Sequence, residues 1–143
     1  MKKKDNIQKA TFYPKSPKYM VGDIVCSHGF NCIVYGIYPY CGYYSYDLKT
    51  TEGESLGKIC QEDINEKLLT PAILEKNGWK AVDGKRLNFS SYEKVFISRE
   101  RRPSIFMQNG KFYHDLFGKN RIDFVHQLQH LLFGLGLDSD IKL

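Results

Sequence analysis

The chain has 143 residues, a mass of 16.6 kDa and a formal charge of +5. That length fits one domain or two very small ones. With 42% apolar residues, 26% charged residues and only 5 prolines, the composition excludes collagen-like, mucin-like and wholly disordered chains.

The charge is placed unevenly. Residues 1–18 hold six lysines (Lys2, Lys3, Lys4, Lys9, Lys15, Lys18) against one acid, and residues 19–143 hold fifteen basic against fifteen acidic side chains. The first stretch has no periodicity and carries Pro14 and Pro17, so it reads as a flexible basic arm over 1–18. Its lysines are followed by Asp5-Asn6-Ile7-Gln8-Lys9-Ala10, where a signal peptide needs an apolar stretch of about 7–15 residues. The longest apolar run, Leu131–Leu137, is interrupted by Gly134 and Gly136 and falls well short of the ~20 residues that span a bilayer. A cytoplasmic protein without a membrane anchor is expected.

The body begins at Tyr19-Met20-Val21-Gly22-Asp23, a turn signal ahead of an apolar run. Short glycine-punctuated strands follow at 24–28, 32–38, 43–48 and 55–60, a spacing that predicts an antiparallel meander or an SH3-like barrel over 19–69. Cys26, Cys32, Cys41 and Cys60 fall among these strands, and no pair forms CxxC. Zinc-ribbon spacing is therefore absent, and four reduced, mostly buried thiols are expected.

Thr70-Pro71-Ala72-Ile73-Leu74-Glu75-Lys76-Asn77-Gly78 carries the marks of a short helix. The threonine serves as N-cap, the proline stands where no donor is needed, and the glycine suits the left-handed C′ position. A second set of strands is predicted at 79–82, 86–89, 94–98, 104–108 and 111–114. Asp83-Gly84 and Asn109-Gly110 stand as type I′ hairpin turns between them. The last element is a helix over about 121–135. A 3.6-residue period gathers Phe124, Val125, Leu128, Leu131, Leu132 and Leu135 on one side and Asp123, His126, Gln127 and His130 on the other. Gly136 is its expected cap, and Asp138–Leu143 suits one more short strand. The expected class is α+β, with the second unit spanning 70–143.

Three stretches resemble a family. Tyr19-x-Val21-Gly22-Asp23-Ile24-Val25, Leu69 through Trp79, and Phe124-Val125-His126-Gln127-Leu128-Gln129-His130-Leu131-Leu132-Phe133 are similar to small proteins of gut bacterial genomes, prophages and phages. Those proteins carry an "LTPEILEKNGF" segment and a closing "YVHQLQNL" helix. The order matches over residues 19–137, and the basic arm departs from the pattern. The resemblance implies a phage or mobile-element setting and transfers no activity, cofactor or catalytic residue.

Several constellations invite a function. Six of the ten tyrosines fall between Tyr35 and Tyr46. Tyr38, Tyr40, Tyr44 and Tyr46 are the candidates for a platform that stacks bases or fills a protein pocket. The same residues also suit strand propensity alone. Arg99, Arg101 and Arg102 precede Pro103 in a loop, where guanidinium forks fit phosphates or carboxylates. Residues 47–66 hold six acids against two lysines, and residues 99–121 hold six basic side chains against two acids. His126 and His130 are i, i+4 with Asp123 a turn earlier, the weak candidates for a metal. The glutamate of a zincin is missing from His-Gln-Leu-Gln-His, and a solvated polar face fits as well.

There is no GxSxG, Walker A or Cys–His signature, so an enzyme is disfavoured and no cofactor is expected. The reading is a non-enzymatic accessory protein that binds nucleic acid, or a protein bound to it, through Arg99, Arg101, Arg102, the tyrosines and Lys2, Lys3 and Lys4. Two alternatives stay open: an inhibitor or assembly factor working through a protein interface, homodimer included, and a nucleotide-binding sink.

Overall fold

Met20-Val21-Gly22-Asp23 closes as a β-turn: Asp23 N donates to Met20 O (3.0 Å), and Gly22 takes a positive φ of 95°. The Asp23 carboxylate accepts from Met20 N at 2.8 Å and is 3% exposed. The computed structural model describes residues 16–40, 42–87, 91–98, 103–115 and 120–143, and the chain divides into two compact units, Met1–Glu66 and Lys67–Leu143.

In the first unit, β1 (Ile24–Ser27), β2 (Phe30–Tyr40), β3 (Tyr43–Thr50) and β4 (Ser55–Cys60) form an antiparallel meander. A 3-10 turn at Gln61–Asp63 then returns the chain to β5 (Asn65–Glu66), which pairs with β1. The sheet order is β4-β3-β2-β1-β5. The β1–β2 connection is shorter than expected: His28 and Gly29, at φ 51° and 81°, make a two-residue turn with Ser27 opposite Phe30. Tyr19, Val25, Cys32, Val34, Tyr46, Leu48 and Ile64 form the core.

The second unit opens on a segment that runs into α1 (Pro71–Lys76). Thr70 Oγ1 accepts from Ile73 N at 3.3 Å, and Gly78 has φ 95°, as expected. The sheet β6 (Trp79–Asp83), β7 (Lys94–Ser98), β8 (Ile105–Gln108) and β9 (Lys111–Tyr113) is antiparallel in sequence order. Asn109-Gly110 makes the expected type I′ turn, with φ 52° and 73° and Gln108 opposite Lys111.

Asp83-Gly84 does not make such a turn, and Arg86 and Leu87 are not in the strand expected over 86–89. Asp83 still pairs with Lys94, neither residue has positive φ, and Gly84–Leu87 is a 3-10 turn. The Asp83 carboxylate accepts from Lys85 N at 2.9 Å and so curls the chain locally. Leu87 packs against Tyr92, Val95 and Phe106, while residues 88–90 lie outside the described residues.

The closing helix, α2 (Val125–Gly134), starts four residues later than expected. Residues 121–124 are needed elsewhere. Ile122 N donates to Phe112 O, Val125 N to Lys67 O and Leu69 N to Asp123 O, so this stretch bridges β9 and the segment before α1. Gln127 Oε1 accepts from Asp123 N and Phe124 N (2.8 and 3.1 Å), the N3 half of a capping box. At the other end Leu137 N reaches Leu132 O and Gly136 N reaches Phe133 O with Gly136 at φ 72°, a Schellman motif.

Val125, Leu128 and Leu132 are fully buried as the period predicted, but Leu135 is 55% exposed. On the expected polar side His126 is buried, at 5% exposure, while Asp123, Gln127 and His130 are half-buried; Gln129 is also 5% exposed. Gln129 Nε2 donates to Ser139 O at 3.2 Å, and the His126 ring stacks with Phe124. The final segment is not a strand. The Asn77 side chain holds it, accepting from Lys142 N and donating to Lys142 O, both at 2.7 Å.

Candidate functional site

The tyrosine cluster is divided between the two faces of the first sheet. A two-residue turn joins β2 to β3, with Tyr40 opposite Tyr43 and Gly42 at φ 81°. Residues opposite each other share a face, and across a two-residue turn an even number on one strand meets an odd number on the other. Tyr38 therefore faces the same way as Ser45 and Tyr43. Tyr44 and Tyr46 point to the other side.

That other side is the core. Tyr44 packs against it, and Tyr46 is fully buried. The Tyr46 hydroxyl donates to Gln61 Oε1 at 2.6 Å and accepts from Lys18 N and Tyr19 N at 3.1 and 3.4 Å. The Tyr19 ring meets it edge-on at 5.3 Å. Burial pushes the Tyr46 phenol above its ordinary pKa, and the amide donors partly offset this. Tyr44 and Tyr46 thus form no platform with Tyr38. Lys18 is not part of a free arm either: its ammonium is bonded to Glu66, and that hydrogen bond holds its pKa above the usual lysine value.

The outer face gathers residues that strand alternation alone does not bring together. A bulge falls between Val34 and Gly36, whose partners Leu48 and Asp47 are consecutive. Tyr35 is the extra residue. It points outward, 52% exposed, and the bulge resets the alternation so that Tyr38 points outward too, 39% exposed. Tyr43 stands on the same face, 65% exposed.

Two lysines complete the surface. Lys49 Nζ lies over the Tyr35 ring at 4.4 Å, and Lys58 Nζ lies over the Tyr38 ring at 4.1 Å. The Tyr38 ring rests on Gly36: a Cβ there would meet its hydroxyl, Cε2 and Cζ at 2.9–3.2 Å. Asp47 sits between Gly36 and Lys58 in the ladder. The first unit's other acids, apart from the turn residue Asp23, lie in the β3–β4 turn (Glu52, Glu54), the 3-10 turn (Glu62, Asp63) and β5 (Glu66). The result is two successive units of ring plus cation on one open sheet face.

Of the expected residues, Tyr38 alone has its side chain described on this face. Tyr35, Tyr43, Lys49 and Lys58 join it. The parity rule across the β2–β3 connection is readable from sequence and finds Tyr43; Gly36 inside the strand is a bulge signal, but it does not say which neighbour is the extra residue. Arg99, Arg101, Arg102, Lys2, Lys3, Lys4 and the side chain of Tyr40 lie outside the described residues.

The weak metal candidates do not converge on a site. The Asp123 carboxylate is taken by Arg121 at 2.8 and 3.1 Å, and His126 is buried with its ring edge-on to His130 at 5.5 Å. Among the described residues no three His, Cys, Asp or Glu side chains come close enough to hold a metal ion. Cys26 and Cys32 are free thiols within the sheet, and Cys60 is free and exposed. Among the described residues no helix is long and apolar enough to cross a membrane. No protein-family model, curated protein or solved structure matches the chain.

Proposed function

We propose that this chain is a non-enzymatic accessory protein of a phage or mobile element that binds nucleic acid through the outer face of its first sheet. The exposed Tyr35 and Tyr38 rings, each with a lysine ammonium over it, carry the reading: aromatic faces suit bases and the cations suit phosphates. The basic stretch at residues 1–15 adds sequence-independent attraction. An SH3-like reading of the first unit is supported by a four-stranded meander followed by a 3-10 turn and a short strand that returns to β1.

The test is fluorescence anisotropy of a labelled oligonucleotide as salt is raised. Affinity should fall linearly on a log–log plot. Salt-independent binding, or none, refutes the reading. One observation favours a second reading: residues 19–66 hold seven acids against two lysines, an acidic surround that suits a basic protein partner. That reading requires a complex from host lysate that survives nuclease treatment.

A further inference from the structure

We infer that the outer face takes single-stranded nucleic acid, seating two neighbouring bases on Tyr35 and Tyr38 while Lys49 and Lys58 move from the ring faces to phosphates. The inference rests on the nucleic-acid reading above and narrows it to one ligand form.

Three features of the face lead there. First, the ring–cation unit occurs twice, at 4.4 and 4.1 Å, on one side of the sheet, with both rings on β2 and the lysines on β3 and β4. A nucleotide is itself a flat ring joined to an anion, so two such units match two nucleotides.

Second, Tyr38 is seated before any ligand arrives. Its ring rests on Gly36, where a Cβ would come within 2.9–3.2 Å of it, so one side of the ring is covered by backbone. The Lys58 ammonium lies over the ring. An exposed cation–π contact is weaker than a stacked base, so a base can displace the ammonium, which stays tethered where a phosphate follows.

Third, the spacing selects the strand form. Tyr35 and Tyr38 are three positions apart on a bulged strand, roughly 7–10 Å. Bases stacked in a duplex strand are only about 3.4 Å apart. Seating one base on each ring requires splayed bases, which a duplex cannot offer. Nothing on the face reads a particular base edge, so recognition is tolerant of sequence.

The experiment compares three probes on the full chain by anisotropy: a labelled oligothymidine of about ten nucleotides, its duplex with oligoadenosine, and an abasic strand of the same phosphate count. The single strand should bind well, and the duplex and abasic strand poorly. Tyr35→Ala and Tyr38→Ala should each weaken single-strand binding roughly 5- to 100-fold, while the phenylalanine variants retain it. Gly36→Ala should weaken it too, with every binding side chain present, by displacing the Tyr38 ring. Lys49→Gln and Lys58→Gln should each lower the log–log salt slope by about 0.7.

If all three probes bind alike and the tyrosine variants match wild type, the stacking site is refuted while nucleic-acid binding stands. If no probe binds, both fall. Ring signals of Tyr35 and Tyr38 in the wild-type NMR spectrum should shift on adding oligothymidine. Unshifted rings with binding present also refute the site, whatever the variants do.

Discussion

Tyr46 shows how much one side chain decides. Its ring is core, and its hydroxyl is the junction where the chain at Lys18 and Tyr19 is fastened to β3 and to the 3-10 turn through Gln61. Tyr46→Phe keeps the ring and removes the junction. The variant should lose about 1–2 kcal/mol of stability, read as a lower urea midpoint at unchanged slope. The pH dependence follows from the same burial. Desolvation raises the folded-state pKa of Tyr19 and Tyr46 above the ordinary phenol value of 10.0. Below that value both states are protonated and the stability is whole. As pH climbs above it the unfolded chain releases protons that the folded chain retains, so stability falls. Urea midpoints between pH 8 and pH 11 should decline from about pH 10 upward, and the decline should be shallower in Tyr46→Phe.

At the scale of elements, local chemistry specified some parts outright. α1 is bounded by Thr70, Pro71 and Gly78, and each performs the role its type implies. Thr70→Ala should cost about 1 kcal/mol through the lost cap, measurable as a fall in melting temperature. Asn109-Gly110 is equally self-contained, whereas Asp83-Gly84 was overridden. There the ladder continues through Asp83 to Lys94 and the aspartate curls the chain onto Lys85, so the dipeptide never reaches the positive φ its type allows. α2 was shortened for a similar reason, since Ile122 N is given to Phe112 O and Asp123 O to Leu69 N. The tail depends on Asn77, whose side-chain amide makes two 2.7 Å bonds to Lys142. Asn77→Ala should speed hydrogen exchange at the Lys142 amide at least tenfold and leave the β7 amides protected; unchanged exchange at Lys142 would mean the tail is held by Ile141 instead.

For the whole molecule, the overall charge of +5 divides further than arm against body. Residues 19–66 hold two basic and seven acidic side chains, and residues 67–143 hold thirteen basic and eight acidic. The neutral body is therefore the sum of an acidic first unit and a basic second one. Lys18, the last residue of the stretch expected as an arm, is fastened to the first sheet, as is Tyr19 after it. Deleting residues 2–15 should leave the melting temperature within a degree or two and reduce only the salt slope of binding. Deleting residues 2–19 should destabilise the first unit by removing Tyr19, which is fully buried. Calorimetry of the two truncations separates these outcomes, and equal melting temperatures would contradict the anchoring role.

What the sequence determined by itself is everything governed by neighbours along the chain. Thr70-Pro71 and Gly78 set a helix, Asn109-Gly110 a turn, Gly136 a cap and the glycine-spaced apolar runs an α+β pattern, because φ preference and capping act within a few residues. What only the tertiary structure decided is which side chains meet. The bulge at Tyr35 puts it on one face with Tyr38, and the core takes Tyr44 and Tyr46 on the opposite face. His126 and Gln129, polar by type, end up buried, with Gln129 donating to the backbone of the returning tail. A strand's facing depends on register, and register is set by hydrogen bonds to a partner strand, which no local run of residues contains.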